Sequence, residues 1–138
     1  MAFRGIFPLP GPLPPEGSFG KGFLRMHALI IEDDAVIAMM IEDELRDLGY
    51  STFATASTEH EAIEAVARRC PDLVTADGPL FSGTGPSAVR RIRSTLKVPV
   101  VFITGDPEHA RHQFPGTPVL EKPFTVSELI AAVELAHC

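Results

Sequence analysis

The sequence predicts an α/β fold in which five βα units wind around a parallel sheet, and three observations predict it. From residue 27 onward, short apolar runs alternate with segments of helical period, the pattern of βαβ units. Three of the runs, HALII (27–31), DLVTA (72–76) and VPVVFIT (98–104), are almost continuously apolar, as strands covered on both faces must be. Between the runs stand helix-start signals, Ser/Thr/Asp caps or first-turn prolines.

In order, HALII leads into a helix on which Ile37, Ile41, Leu45 and Leu48 recur at helical spacing, with Gly49 as its stop. A weaker strand, YSTFAT (50–55), precedes a capping box of Thr58 and Glu61 that opens a helix carrying Ile63, Val66 and Ala67. After DLVTA, Pro86 at a first turn leads into Val89, Ile92 and Leu96. VPVVFIT is followed by Asp106-Pro107, cap and first-turn proline of a short fourth helix. The last unit is PVLE (118–121), then a Thr125/Glu128 capping box before Leu129, Ile130 and Val133.

At 138 residues there is room for one compact domain. A formal charge of −6 with no Lys/Arg-rich run argues against a nucleic-acid surface. Cys70 and Cys138 have no metal-ligand spacing, so two free thiols in a reducing cytoplasm are expected. The longest apolar run, AVIAMMI (35–41), is far short of a membrane span. Residues 1–25 hold five Pro and five Gly and read as a disordered leader rather than a secretory signal or a polyproline ligand. The folded domain is expected over 26–138.

In open parallel sheets, ligands bind outside the carboxyl ends of the strands. Glu32, Asp33 and Asp34 follow the first strand there, Asp77 follows the third, Thr104 ends the fourth and Lys122 follows the fifth. Carboxylates brought together repel unless a cation sits among them. Mg²⁺ suits such a site, because it takes oxygen ligands, keeps waters and shares a phosphate. Asp33 and Asp77 would ligate it directly and Glu32 through water. Lys122 offers charge to phosphoryl oxygens and Thr104 a hydroxyl, while Asp34 is placed to cap the first helix.

The stretches LIIEDD, DLVTAD, VVFITG and EKPF together resemble the response-regulator receiver domain of two-component signalling, over roughly residues 27–137. The resemblance implies a flavodoxin-like sheet of order 2-1-3-4-5. It also implies that Asp77 accepts a phosphoryl group from the phosphohistidine of a sensor histidine kinase or a histidine phosphotransfer protein. Mg²⁺ would be held by Asp33, Asp77, Glu32 through water and the Pro79 backbone carbonyl. Thr104 and Lys122 would contact the phosphoryl group, and the Lys122–Pro123 bond would be cis. Such a protein is a phosphoacceptor that later hydrolyses its own acyl phosphate, not an enzyme in the ordinary sense. It switches the binding of an unidentified protein partner, with no role for nucleic acid or membrane. The resemblance is to single-domain receivers.

Three positions depart from the family pattern. Phe81 stands where the loop after the acceptor usually carries proline, and Val119 where an aromatic switch residue is frequent. Only 18 positions separate Thr104 from Lys122, so the fourth helix should be short.

Other readings are weaker. Asp77-Gly78 is a hairpin signal, but Pro79 cannot donate to a ladder and the return arm looks too short; Gly78 is instead expected to bend the chain and leave Asp77 exposed. Gly83-Thr84-Gly85-Pro86-Ser87-Ala88 matches a dinucleotide fingerprint without directly following a strand. His109 and His112 read as a solvated helix face, and Cys70 as packing. A dehalogenase-type phosphatase needs an acid where Pro79 stands. The alternative function is a degenerate receiver that binds proteins without phosphorylation.

Overall fold

The computed structural model describes residues 26–138, so the expected leader lies outside the described residues. The elements alternate: β1 (Met26–Ile31), α1 (Ala35–Asp47), β2 (Tyr50–Ala56), α2 (Glu59–Arg68), β3 (Leu73–Ala76), α3 (Gly85–Arg93), β4 (Val100–Thr104), α4 (Pro107–Gln113), β5 (Val119–Glu121) and α5 (Val126–Ala136). All neighbouring strands pair in parallel, in the order β2-β1-β3-β4-β5.

Successive side chains of a strand point to opposite faces, so the apolar runs supply two cores. Leu29, Ile31, Val74, Val100 and Phe102 face α2, α3 and α4. Ala28, Ile30, Leu73, Val101 and Ile103 face α1 and α5. That is why these strands read as continuous apolar runs rather than alternating ones.

Gly49, at φ +110°, ends α1 as expected, since that backbone favours glycine. The Thr125/Glu128 box is complete, each side chain accepting the other residue's N–H, at 3.1 and 2.8 Å. The Thr58 box is only half formed. Thr58 accepts from Glu61 N–H, but the Glu61 carboxylate turns to the N–H and hydroxyl of Ser57, at 2.8 and 2.9 Å. On α2 the buried residues are Ala62 and Ala65, Ile63 and Val66 lie at the flanks, and Ala67 is exposed. Small residues under the helix axis let α2 sit close to the sheet, which moves the larger side chains to the sides. β4 starts at Val100, because Pro99 has no N–H to give and contributes only its carbonyl, to Val74 N–H at 3.0 Å.

α4 has only seven residues, as the short spacing implied. Phe114, which caps its C-terminal end, packs against Phe102 with the rings tilted and 5.0 Å between centroids, under the Arg90 guanidinium. Among the described residues no helix is long and apolar enough to cross a membrane.

Among the described residues, one buried side-chain atom is unsatisfied: the Thr75 hydroxyl on β3 has no hydrogen-bond partner. Burying a hydroxyl without a partner costs about 1–3 kcal/mol. Thr75→Val, which replaces the hydroxyl with a methyl, is therefore expected to raise unfolding stability by about 1 kcal/mol in urea denaturation. An equal loss would show that the hydroxyl is satisfied.

Candidate functional site

The carboxyl ends of β1, β3, β4 and β5 bring Glu32, Asp33, Asp77, Thr104 and Lys122 together. Glu32 is fixed first by its backbone, whose N–H donates to Ala56 O at 2.8 Å. Its buried carboxylate accepts from Lys122 Nζ at 2.8 Å and from Asp34 N–H at 3.1 Å. Asp34 itself caps α1, accepting from the N–H groups of Val36 and Ile37 at 2.9 and 3.2 Å. The acidic run thus divides its labour: Asp34 serves the helix, and Glu32 and Asp33 face the site.

Asp77 is held by its N–H to Ile31 O at 3.0 Å. Its Oδ1 accepts from Gly78 N–H at 2.7 Å and its Oδ2 pairs with Lys122 Nζ at 3.1 Å. One carboxylate oxygen each from Glu32, Asp33 and Asp77 lies within 4.8 Å of the others. Lys122 is anchored by its N–H to Thr104 O at 2.9 Å, and its peptide bond to Pro123 is cis. Buried Thr104 accepts from Asp106 N–H at 3.0 Å through its hydroxyl.

Three acidic groups against one ammonium leave the site short of positive charge. Burial pushes the Glu32 carboxyl up to about 7, and the Asp77 charge adds to it, while hydrogen bonds from Lys122 and Asp34 pull the other way. Burial also opposes the Lys122 charge, but its bonds to Glu32 and Asp77 outweigh that and hold the ammonium above its ordinary range. A hard divalent cation would relieve the imbalance, and converging carboxylate oxygens are the donor set Mg²⁺ prefers. The residues present therefore fit the ion.

The charge balance makes Glu32 pH-sensitive in Mg²⁺-free protein. Its proton leaves the unfolded chain near 4.5 and the folded protein near 7, so the native state binds more protons in between. Its contribution to stability is complete below about 4.5 and is lost as pH rises to about 7. His27 and His137, both pulled down by burial, act in the opposite sense as pH falls below 6.5. The difference between wild type and Glu32→Gln isolates Glu32. Gln should gain on the wild type by on the order of 2 kcal/mol between pH 4.5 and pH 8 in urea denaturation. A pH-independent difference would contradict this.

As expected, Asp77-Gly78 closes no hairpin, since β3 pairs only in parallel with β1 and β4, but a different two-rung hairpin follows: Gly85 N–H donates to Gly78 O at 2.7 Å and Leu80 N–H to Gly83 O at 3.2 Å. Pro79 faces Thr84 between those rungs, at a position that needs no N–H, so proline does not block the pairing. The turn falls at Phe81 and Ser82, with Gly83 at φ +80°. Neither rung uses the Pro79 carbonyl. Contrary to expectation, Gly78 has no positive φ, and Asp77 is buried, at 6% exposure, with its carboxylate paired to Lys122. Gly78 supplies space instead: a Cβ there would stand 3.1 Å from the Thr104 hydroxyl.

Beside Asp77 lies a cavity of about 200 Å³, walled by Pro79, Pro86, Phe102 and Ala110, with His109 also lining it. His109 is exposed as expected yet borders this cavity, while His112 is simply exposed. Cys70 is exposed, not packed, because it lies beyond the end of α2. Val119 packs half-buried against the Phe102 cluster, and Phe81 is 75% exposed.

Two residues escaped the sequence reading. Gly85, inside the apparent dinucleotide fingerprint, lies against the Asp77 carbonyl, 1.7 Å from where its Cβ would be. Glu59 bonds Ser87 and Arg91 of α3 at 3.0 and 3.1 Å. A glycine in a helix's first turn is a signal for the former; no local pattern marks the latter.

Fold and site together define a doubly wound domain that presents a buried strand-end aspartate among metal-suited carboxylates, with a lysine from the last strand. The family model for the response regulator receiver domain matches residues 28–134, and the chain belongs to that family. It is 35% identical over 112 residues to the transcriptional regulatory protein PdtaR of Mycobacterium tuberculosis, covering 78% of this chain and 55% of that protein. It is equally identical over 112 residues to the phyllosphere-induced regulator PhyR of Methylorubrum extorquens, covering 78% of this chain and 42% of that protein. The PhyR receiver domain of Erythrobacter litoralis superposes with a TM-score of 0.77 at 37% identity, over 84% of this chain and 92% of that one. The chain spans about half the length of the curated relatives it matches.

Proposed function

We propose that this receiver accepts a phosphoryl group on Asp77 from the phosphohistidine of a sensor kinase or phosphotransfer protein, and that the modified form switches binding to a protein partner. The observation that carries the reading is the Asp77 carboxylate, held by Gly78 N–H and Lys122 Nζ at 2.7 and 3.1 Å beside the oxygens of Glu32 and Asp33. Its Oδ2 forms the new O–P bond as the P–N bond to the donor imidazole breaks, and the imidazole keeps the electron pair. Mg²⁺, when bound, supplies positive charge for the phosphoryl oxygens; Asp33, Asp77, Glu32 through water and the Pro79 carbonyl would hold it. Lys122 is freed to follow the charge from Asp77 to the phosphoryl group. Thr104 can exchange its bond from Asp106 N–H for donation to a phosphoryl oxygen, pulling the β4–α4 turn with it, a two-state element a partner can read.

A donor protein must reach a buried carboxylate, so it must cover the rim around it. Exposed Val36, Met39, Met40 and Phe81 suit such an apolar contact, and small phosphodonors would not need them. The phosphorylation-independent alternative has less support, because every reactive position is filled.

Incubation with acetyl phosphate and Mg²⁺ tests the reading by intact mass. The wild type should gain one phosphoryl group and Asp77→Asn none. A wild type that stays unmodified would overturn phosphoacceptance and leave the protein-binding module.

A further inference from the structure

The loop that carries Pro79 lacks the proline usual at the Phe81 position, so its rigidity must come from elsewhere. The contacts supply a source. Phe81 N–H donates to Ser57 O at 3.1 Å, and Glu59 N–H to Ser82 O at 3.0 Å, which tie the hairpin turn to the start of α2. The Glu59 side chain then crosses to the far arm of the hairpin. Its carboxylate accepts from the Ser87 hydroxyl at 3.0 Å and from Arg91 at 3.1 Å. It also packs on Gly83 so closely that a Cβ there would stand 2.6 Å from a carboxylate oxygen. Both donors come from α3, and Ser87 lies in its first turn, where a carboxylate is also favoured by the helix dipole.

We propose that Glu59 is a positioning residue for the metal site: it fastens the turn and the return arm of the 78–85 hairpin to α3, so that the Pro79 carbonyl, which the hairpin leaves unpaired, is held ready for the ion. The inference rests on the metal-dependent phosphoacceptor reading. Glu59 touches neither Asp77 nor the acidic cluster; it acts through the loop. Partners that orient the groups around a metal typically change its affinity by about 10–100-fold when removed. A residue that only stabilised the fold would change the melting temperature and leave the metal affinity of the folded protein alone.

The test compares wild type, Glu59→Ala and Glu59→Gln by amide exchange at Leu80, Phe81 and Gly85, by Mg²⁺ calorimetry, and by the Mg²⁺ dependence of acetyl phosphate labelling. In Glu59→Ala those amides should exchange faster and the Mg²⁺ Kd should weaken about 10-fold. Labelling at saturating Mg²⁺ should still reach the wild-type rate. Glu59→Gln, which keeps an oxygen for the Ser87 hydroxyl, should restore the Mg²⁺ affinity. If Glu59→Ala does not fold, Ser87→Ala should weaken Mg²⁺ by about threefold through the lost bond. An unchanged Kd in the folded variant tested, or a Gln variant as weak as Ala, would overturn the proposal. A wild type that binds Mg²⁺ but is not labelled would sink the phosphoacceptor reading alone, and the Kd values would still decide the role of Glu59.

Discussion

Gly85→Ala should destabilise the domain by about 3 kcal/mol or more and abolish acetyl phosphate labelling. The sign is informative, because Gly→Ala in a helix ordinarily stabilises by up to about 1 kcal/mol. Here the added Cβ would lie 1.7 Å from the Asp77 carbonyl oxygen and 2.8 Å from its carbonyl carbon. Both are backbone atoms at the end of a buried central strand, so no rotamer change relieves the clash. Either α3 moves off the sheet, losing the packing of Ala88, Val89 and Ile92, or the Asp77 peptide moves and takes its carboxylate out of the site. Gly105 is the control, since nothing lies within 4 Å of a Cβ there. Urea denaturation of the two alanine variants checks the prediction; equal and small effects would show that α3 accommodates a side chain at 85.

Lys122→Ala is expected to cost about 3 kcal/mol in Mg²⁺-free buffer at pH 8, the lower end for removing one partner of a buried ion pair. Its ammonium bridges Glu32 at 2.8 Å and Asp77 at 3.1 Å, and its side chain is 20% exposed. Without it, two buried carboxylates face each other with only backbone donors. The cost should shrink toward pH 5.5, where Glu32, with its carboxyl near 7, takes up a proton in the folded state. Mg²⁺ should stabilise the variant more than the wild type, because the ion then supplies the missing charge as well as its own binding. Denaturation with EDTA or Mg²⁺ at the two pH values decides it. A loss independent of both would mean that Lys122 contributes packing rather than charge.

These sites divide along a physical line that also separates what the sequence reveals from what it hides. Glu32, Asp77, Thr104 and Lys122 are far apart in the chain, yet each follows or ends an apolar strand, and parallel strands deliver their carboxyl ends to one edge. Their convergence was therefore legible from strand position alone. Local signals held for Asp34 on α1 and for Thr125 with Glu128, but only by half for Thr58 with Glu61, whose carboxylate found Ser57 instead. Gly85 against Asp77 and Glu59 against Ser87 depend on how two elements dock, which no window of sequence contains. The hairpin at 78–85, whose turn is at Phe81 and Ser82 and not at Asp77-Gly78, was missed for a related reason. Proline excludes a donor, but whether a donor is needed depends on the register with Thr84. On α2 the spacing of Ile63, Val66 and Ala67 pointed to a face, and the close approach permitted by Ala62 and Ala65 rotated it.

The central claim is that Asp77 is the atom-accepting residue of this receiver. Borohydride reduction of acetyl phosphate-treated protein converts an aspartyl phosphate to homoserine, and peptide mapping then reads its position. Homoserine at position 77 and nowhere else is the predicted result. Homoserine at position 33, or none in protein that has bound Mg²⁺, would contradict the account.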